Sequence, residues 1–324
     1  MKTNRSELPG GLSNKNPFDS KKRSVIGDYF RSFKKGQLKR YFPLFFLPTV
    51  IAFTVAFLIP FLRGVYLSFC EFKNIRSAKF IGLKNYINAF SDKGFLRSFV
   101  YTLAFTIVSV VLINVIAFAI AYVLTRGIRG SNLFRTVFFM PNLIGGIVLG
   151  YIWQLIINGV LQWYVGEDIT YNTAYGFWGL IILICWQQIG YMMIIYIAAL
   201  GSVPDSLVEA ARLDGASNRA VLKNVILPYT SSAITICTFL TLTNSFKLYD
   251  QNEALTAGRP IEILADVTQV KTTSMIAKNI VDNFSETYLS SNGTAQAKAV
   301  IFFVIVVAIS LLQLYFTSKN EIEE

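Results

Sequence analysis

Six uncharged apolar runs divide this sequence, at Tyr41–Leu62, Ser98–Leu124, Thr136–Val165, Gly176–Leu200, Tyr229–Phe246 and Ala299–Ser318. A helix needs about 20 mostly apolar residues to cross a hydrocarbon core. Backbone amides in lipid must find partners inside their own segment or in a closed barrel. Continuous runs of this length are helical, so the expected fold is an all-α integral membrane protein with six transmembrane helices. The third run is longer than one crossing requires. Its first part, to about Ile157, suffices, and Pro141 should kink or open it. The fifth run is short, rich in Thr and Ser, and closely followed by Lys247 and Asp250.

Composition agrees. Hydrophobic residues make up 53% of the chain and charged residues 15%, against about a quarter charged in a soluble domain. The net charge of +11 then reads as basic residues at headgroups and in cytoplasmic loops. Nucleic-acid binding would need a basic face on a soluble module, and no such module is visible. The first 40 residues hold eleven Lys and Arg, which predicts a cytoplasmic N-terminus. Six crossings return the tail, residues 319–324, to the same side. Arg126, Arg129 and Arg135 then fall on an inner turn. The stretch from Asn158 to Tyr175, with Glu167 and Asp168 and no basic residue, falls outside. The segment Arg63–Arg97, also expected outside, carries seven basic residues and runs against the rule; the larger N-terminal charge decides. No cleaved leader is expected, because the first run begins after residue 40 and no small-x-small site follows it. The organisation is a basic N-terminal segment, 1–40, a membrane domain, 41–318, and the short tail.

Chemistry is sparse. There is no His, and the three Cys have no metal or redox spacing. Inside the spans, "GGIVLG" sets Gly146 and Gly150 at small-xxx-small spacing. This reads equally as a close helix contact or as a loosely packed pair. Asn142, Gln187, Gln188, Tyr191, Asn244 and Ser245 are polar groups at membrane depth. Such groups hydrogen-bond between helices or line a water-filled path. Amides beside aromatic faces suit sugar hydroxyls and the C–H faces of sugar rings. No acidic residue lies in any run, which argues against a proton- or sodium-driven carrier and a membrane-embedded acid protease.

The most informative stretch is "EAARLDGASNRAVLKNVILP", Glu209 to Pro228, within the loop 201–228. Leu207, Ala210 and Ala211 share a narrow apolar face at helical spacing, and Ser202, Pro204 and Asp205 suit a helix start. Gly215 permits the left-handed turn that ends the helix, and Ser217 can cap a second short one. The physics leaves two readings: an amphipathic loop resting on headgroups, or an exposed helix pair that another protein's groove can approach closely.

The stretch resembles the EAA motif of the membrane-spanning subunits of ABC importers. Glu209-Ala210-Ala211 is followed after three residues by Gly215, and after nine more by Val225, one residue, and Leu227-Pro228. Val225 stands where Ile is usual. Asp214 to Ser217, "DGAS", is similar to the carbohydrate-importer version. "FIGLKNYINAF" (Phe80–Phe90), "FRTVFFMP" (Phe134–Pro141), "AALGSVPDSLVEA" (Ala198–Ala210) and "FKLYDQNEALTAGRP" (Phe246–Pro260) resemble the same sugar-permease family. Gly258-Arg259-Pro260 departs from its Gly-Gly-Pro. The resemblance covers about residues 41–318.

It implies a permease subunit in the bacterial cytoplasmic membrane with a cytoplasmic coupling helix pair. Glu209, Ala210, Ala211, Asp214, Gly215, Leu227 and Pro228 would belong to the motif that docks on an ATPase. The substrate path would draw on Asn142, Gly146, Gln187, Gln188, Tyr191, Asn244 and Ser245. The implied partners are a second permease subunit in a heterodimer, two ABC ATPase subunits, an extracytoplasmic sugar-binding protein and the bilayer. The chain has no G-x-x-x-x-G-K-[ST] loop, so ATP and Mg would sit on the partner ATPase, with no cofactor in this chain. A secondary carrier would show inverted repeats and a charged intramembrane residue, and neither is apparent. An enzyme would show a catalytic constellation, and none stands out. An importer of the same architecture for another small solute remains the nearest rival.

Overall fold

The computed structural model describes residues 38–285 and 292–318. Most of the basic segment 1–40 and all of the tail 319–324 lie outside the described residues. Among the described residues, five helices are long and apolar enough to cross a membrane, or six if one bent pair counts as a single span.

The chain separates at Leu62 into two compact units. The first contains α1 (Leu38–Phe53), a π-helical turn (Thr54–Leu58) and the start of α2 (Ile59–Leu67). Its described side chains are exposed or half-exposed, as a lipid-facing helix requires. Phe53, Phe57 and Phe61 stack along it at centroid spacings of 5.1 and 6.0 Å. The π turn ends two residues before Pro60. Proline lacks an N–H, and its ring crowds the carbonyl four residues back. An extra residue in the preceding turn relieves that conflict without ending the helix. The same arrangement recurs at Leu222–Ile226, two residues before Pro228.

The second unit opens with a short hairpin, β1 (Cys70–Glu71) and β2 (Lys79–Phe80), then α3 (Lys84–Ser91). α4 (Lys93–Leu124) starts on Asp92, whose Oδ1 accepts from the amides of Gly94 and Phe95. One stripe of α4 is buried: Thr102, Phe105, Ser109, Ile113, Ala117 and Ala121. That stripe packs on α7 (Thr173–Gly201) and α11 (Ser231–Phe246), forming a core with Leu180, Ile184, Met192, Met193, Tyr196 and Cys237. Lipid supplies no hydrophobic drive for helix association, so small residues and polar links do the joining. Ser109 Oγ and Ser245 Oγ lie 2.9 Å apart. Tyr196 donates to Asn114 Oδ1 at 2.7 Å, and Asn114 donates to Thr241 at 3.3 Å.

The third apolar run divides differently from the sequence expectation. α5 (Ser131–Phe139) ends in a 3-10 turn at Met140–Leu143 that contains Pro141, and α6 restarts at Gly146 and runs to Tyr164. Pro141 breaks the run, as expected. The membrane-length helix is therefore the later part, not the part ending near Ile157. The fifth run is also corrected. α11 has only 16 residues, and it meets the preceding helical segment Asn218–Tyr229 at a bend of 70°. Pro228 lies just before that bend. Beyond α11 come α12 (Asp250–Thr256), the hairpin β3 (Ile261–Ile263) and β4 (Gln269–Lys271), α13 (Ile276–Ser285) and α14 (Asn292–Ser318).

Candidate functional site

The stretch from Pro204 to Val221 folds as two short helices joined by a tight turn. α8 (Asp205–Leu213) begins after Pro204, with Asp205 in its first turn and Arg212 in its last. Both signs complement the helix dipole. Gly215 has φ +83°. Its amide donates to Arg212 O and that of Ala216 to Ala211 O, both at 3.0 Å. These two bonds make a Schellman termination, which satisfies the last carbonyls of the helix. Ser217 Oγ then accepts from the Ala220 amide at 3.3 Å, capping α9 (Asn218–Val221). Leu227 and Pro228 lie in the one-turn helix α10 (Leu227–Tyr229) leading to the bend.

One side of α8 stays uncovered. Glu209, Ala210 and Asp214 are exposed, and Ala211 is half-buried. Leu213 is 89% exposed, an apolar side chain standing free at the helix end. Sequence reasoning passed over Leu213, because its period did not mark it as different from the core leucines.

The polar residues at membrane depth separate into three groups. Gln188 and Asn244 line a cavity of about 280 Å³ together with Lys247, Tyr249, Asp250 and Gln251. Gln188 is 8% exposed, and its side-chain oxygen has no hydrogen-bond partner among the described residues. A buried acceptor in that state costs about 1–3 kcal/mol until a donor reaches it. Gln187 and Gly146 support the cavity wall. Gln251 donates to Gln187 Oε1 at 2.7 Å, and Gln187 donates to Ile144 O at 3.3 Å. The remaining candidates do not line the cavity. Ser245 is fully buried and its hydroxyl is engaged by Ser109, so as a path residue it is corrected to a helix–helix contact. Tyr191 packs half-buried against the core, and Asn142 sits half-buried in the 3-10 turn.

The glycine pair also has a clear role. A Cβ on Gly150 would sit 2.6 Å from that of Ala254, and one on Gly146 would sit 2.8 Å from that of Asp250. The two glycines let α6 and α12 approach closely, and this contact sets Asp250 and Gln251 beside the cavity. Gly190 does similar work on α7, where a Cβ would fall 1.9 Å from Phe138 O.

α12 is held from behind by buried polar chemistry. Asn252 donates to Thr273 O at 2.8 Å and accepts from the Met275 amide at 2.9 Å. Lys278, 3% exposed at its side chain, pairs with Glu253 on α12 and with Asp282 on its own helix at 3.0 Å. Burial alone would lower the Lys278 ammonium, but its bonds to Glu253 and Asp282 outweigh that and hold it above the usual lysine value. Lys298, fully buried on α14, pairs with Asp92 and donates to Asn283 at 2.9 Å. At the rim, Lys93 bonds Asp266 at 2.7 Å and pushes its carboxyl down to about 2. In the sequence, Asp250 and Gln251 only follow the end of the fifth apolar run. Nothing in local periodicity signals that a short polar helix folds back against a span.

Residues 113–321 match the family described as binding-protein-dependent transport system inner membrane component. The chain belongs to that family. It is a multi-pass inner-membrane permease subunit, a transport component rather than an enzyme. It is 43% identical over 291 residues, 86% of this chain and 94% of the relative, to a probable starch degradation products transport system permease protein of Thermoanaerobacterium thermosulfurigenes. It is 29% identical over 86% of its length, and 95% of the relative's, to a multiple sugar-binding transport system permease protein of Streptococcus mutans. Among solved structures, it superposes with a TM-score of 0.70 on a chain of a bacterial alginate ABC transporter in complex with an alginate pentasaccharide-bound periplasmic protein. That match has 18% identity and covers 89% of this chain and 98% of the other, and it carries the fold alone.

Proposed function

We propose that this permease subunit imports oligosaccharides of the starch-breakdown class across the cytoplasmic membrane. The observation that carries the substrate class is the 43% identity, over nearly the whole of both chains, to the starch-degradation-products permease. The cavity supports it chemically. Gln188 offers an unpartnered acceptor, Asn244 and Gln251 offer amides, and Tyr249 offers a ring face. Sugar hydroxyls donate and accept, and their C–H faces lie against aromatic rings. At about 280 Å³, the cavity falls below the usual range for ligand pockets of about 300–1,000 Å³. A second permease subunit, forming a heterodimer, completes the path.

α8 is the coupling helix on the cytoplasmic side. Ala210 and Leu213 enter a cleft on an ABC ATPase, Glu209 makes polar contacts at its edge, and Gly215 sets the turn. ATP and Mg are held by that partner. Docking of a sugar-binding protein outside and closure of two ATPases inside shift the path between outward- and inward-open populations.

The test is reconstitution of the complex in proteoliposomes with its binding protein. ATP-dependent uptake of labelled malto-oligosaccharides is expected. Uptake of a glycerol phosphate or an amino acid, without uptake of any gluco-oligosaccharide, would refute the substrate class.

A further inference from the structure

Outside the substrate cavity, the chain has a half-open pocket at the foot of α8, about 160 Å³ in volume. It lies where two membrane-length helices end, α4 at Leu124 and α7 at Gly201. That places it at headgroup depth. Its polar wall is formed by Tyr122, Arg126, Asp205, Arg212 and Asn218. Its apolar wall is formed by Leu200, Val208 and Ile226.

The charges on this wall are not spent on each other. Among the described residues, neither Arg126, Arg212 nor Asp205 forms an ion pair. Arg126 is held in place instead. Its guanidinium lies 4.3 Å over the Tyr122 ring and donates to the Tyr122 hydroxyl. A stacked guanidinium keeps its outer N–H groups free for an oxyanion. Two arginines and one aspartate leave the wall with one net positive charge.

We infer that this cavity binds a phosphate-bearing anion, and that its source is the headgroup of an anionic, hydroxyl-bearing phospholipid of the phosphatidylglycerol type. The phosphodiester supplies the single negative charge and accepts from both guanidiniums. The headgroup glycerol hydroxyls donate to Asp205 and Asn218. The apolar wall takes the lipid glycerol and the first acyl carbons. Basic pockets between membrane helices on the cytoplasmic side have this recognition chemistry. Free inorganic phosphate matches the arginines but leaves the apolar wall uncovered. A choline lipid adds a bulky cation that cancels the attraction. The bound headgroup bridges the end of α4 to α8 and braces the coupling helix. That consequence rests on the transport reading above, whereas the binding does not.

The experiment is native mass spectrometry of the full transport complex released from nanodiscs of equal phosphatidylglycerol and phosphatidylcholine. Preferential retention of phosphatidylglycerol is expected, and an Arg126→Gln/Arg212→Gln variant should lose it by a factor on the order of ten. If the double variant does not assemble, Arg212→Gln alone carries the test, since that side chain is exposed. Equal retention of both lipids, or unchanged retention in the variant, overturns the site. Addition of inorganic phosphate separates the sources. Failure to displace the lipid supports the headgroup, and displacement by phosphate with equal thermal protection overturns the lipid assignment. Loss of sugar uptake with lipid still retained counts against the transport reading and leaves this site standing.

Discussion

Gly150→Ala should disturb the proposed substrate cavity without touching it. The new Cβ would sit 2.6 Å from Ala254 Cβ and 3.3 Å from the Gln251 carbonyl. Carbon atoms pack best at about 3.5–4.0 Å, so α12 must retreat from α6 by roughly 1 Å. Overpacking of this kind costs about 1–3 kcal/mol. The retreat also stretches the 2.7 Å bond between Gln251 and Gln187, a further loss of about 0.5–1.5 kcal/mol. A net cost of about 2 kcal/mol corresponds to a drop in Tm of roughly 3 °C for a chain of this size. The assay is thermal unfolding of the detergent-purified complex, paired with sugar uptake in proteoliposomes. Both should fall. Gly159→Ala is the internal control, because it lies on the same helix with nothing within 4 Å of a new Cβ. It should leave uptake unchanged and raise stability by about 0.5–1 kcal/mol, the usual gain from removing a helical glycine. If the two variants behave alike, the close α6–α12 contact does not position the cavity and the reasoning fails.

Three further outcomes can be checked. Gln188→Leu removes the unpartnered buried acceptor, so the Tm should hold or rise while the concentration of sugar needed for half-maximal uptake increases; a lower Tm with unchanged uptake contradicts the assignment. Lys298→Met leaves Asp92 facing a buried apolar group; the cost should approach the roughly 3–5 kcal/mol of a broken buried pair, lowered because the Asp92 side chain is 33% exposed, and an unchanged unfolding midpoint counts against the Lys298–Asp92 pair. The Asp266 carboxyl sits at about 2 in the fold, below its ordinary 3.8, so its tether to Lys93 is fully present above about pH 4 and lost as pH falls through about 2. Deuterium exchange of the β3–β4 hairpin, corrected for intrinsic rates, should be flat from neutral to about pH 4 and rise below it, and a rise at higher pH contradicts the pairing.

Local rules carried the parts of this fold that depend on a few neighbouring residues. The first, second, fourth and sixth spans followed from run length, the break in the third run from Pro141, the turn from Gly215 and the cap from Ser217. What stayed hidden depends on contacts across the chain. Gly146 and Gly150 left close and loose packing equally open, because the partner that decides it is α12, about a hundred residues later. Ser245 looks like any polar residue of a path until Ser109 is set opposite it. Lys298 sits at the start of an apolar run, where a charge reads as a membrane edge; its burial against Asp92, Asn279 and Asn283 requires the fold. Lipid-facing and core-facing residues are both apolar in such helices, so periodicity does not tell one face from the other.

The account turns on α8 meeting an ATPase. The three native cysteines are buried, so a cysteine placed at Ala210 or Leu213 offers a single reactive thiol. In membranes carrying the whole transporter, with a second cysteine placed in the cleft of the ATPase subunit, a short bifunctional maleimide should join either position to it. A membrane-impermeant maleimide applied to intact cells should leave both unlabelled. Labelling from outside, with no cross-link to the ATPase, would contradict the coupling assignment and the topology together.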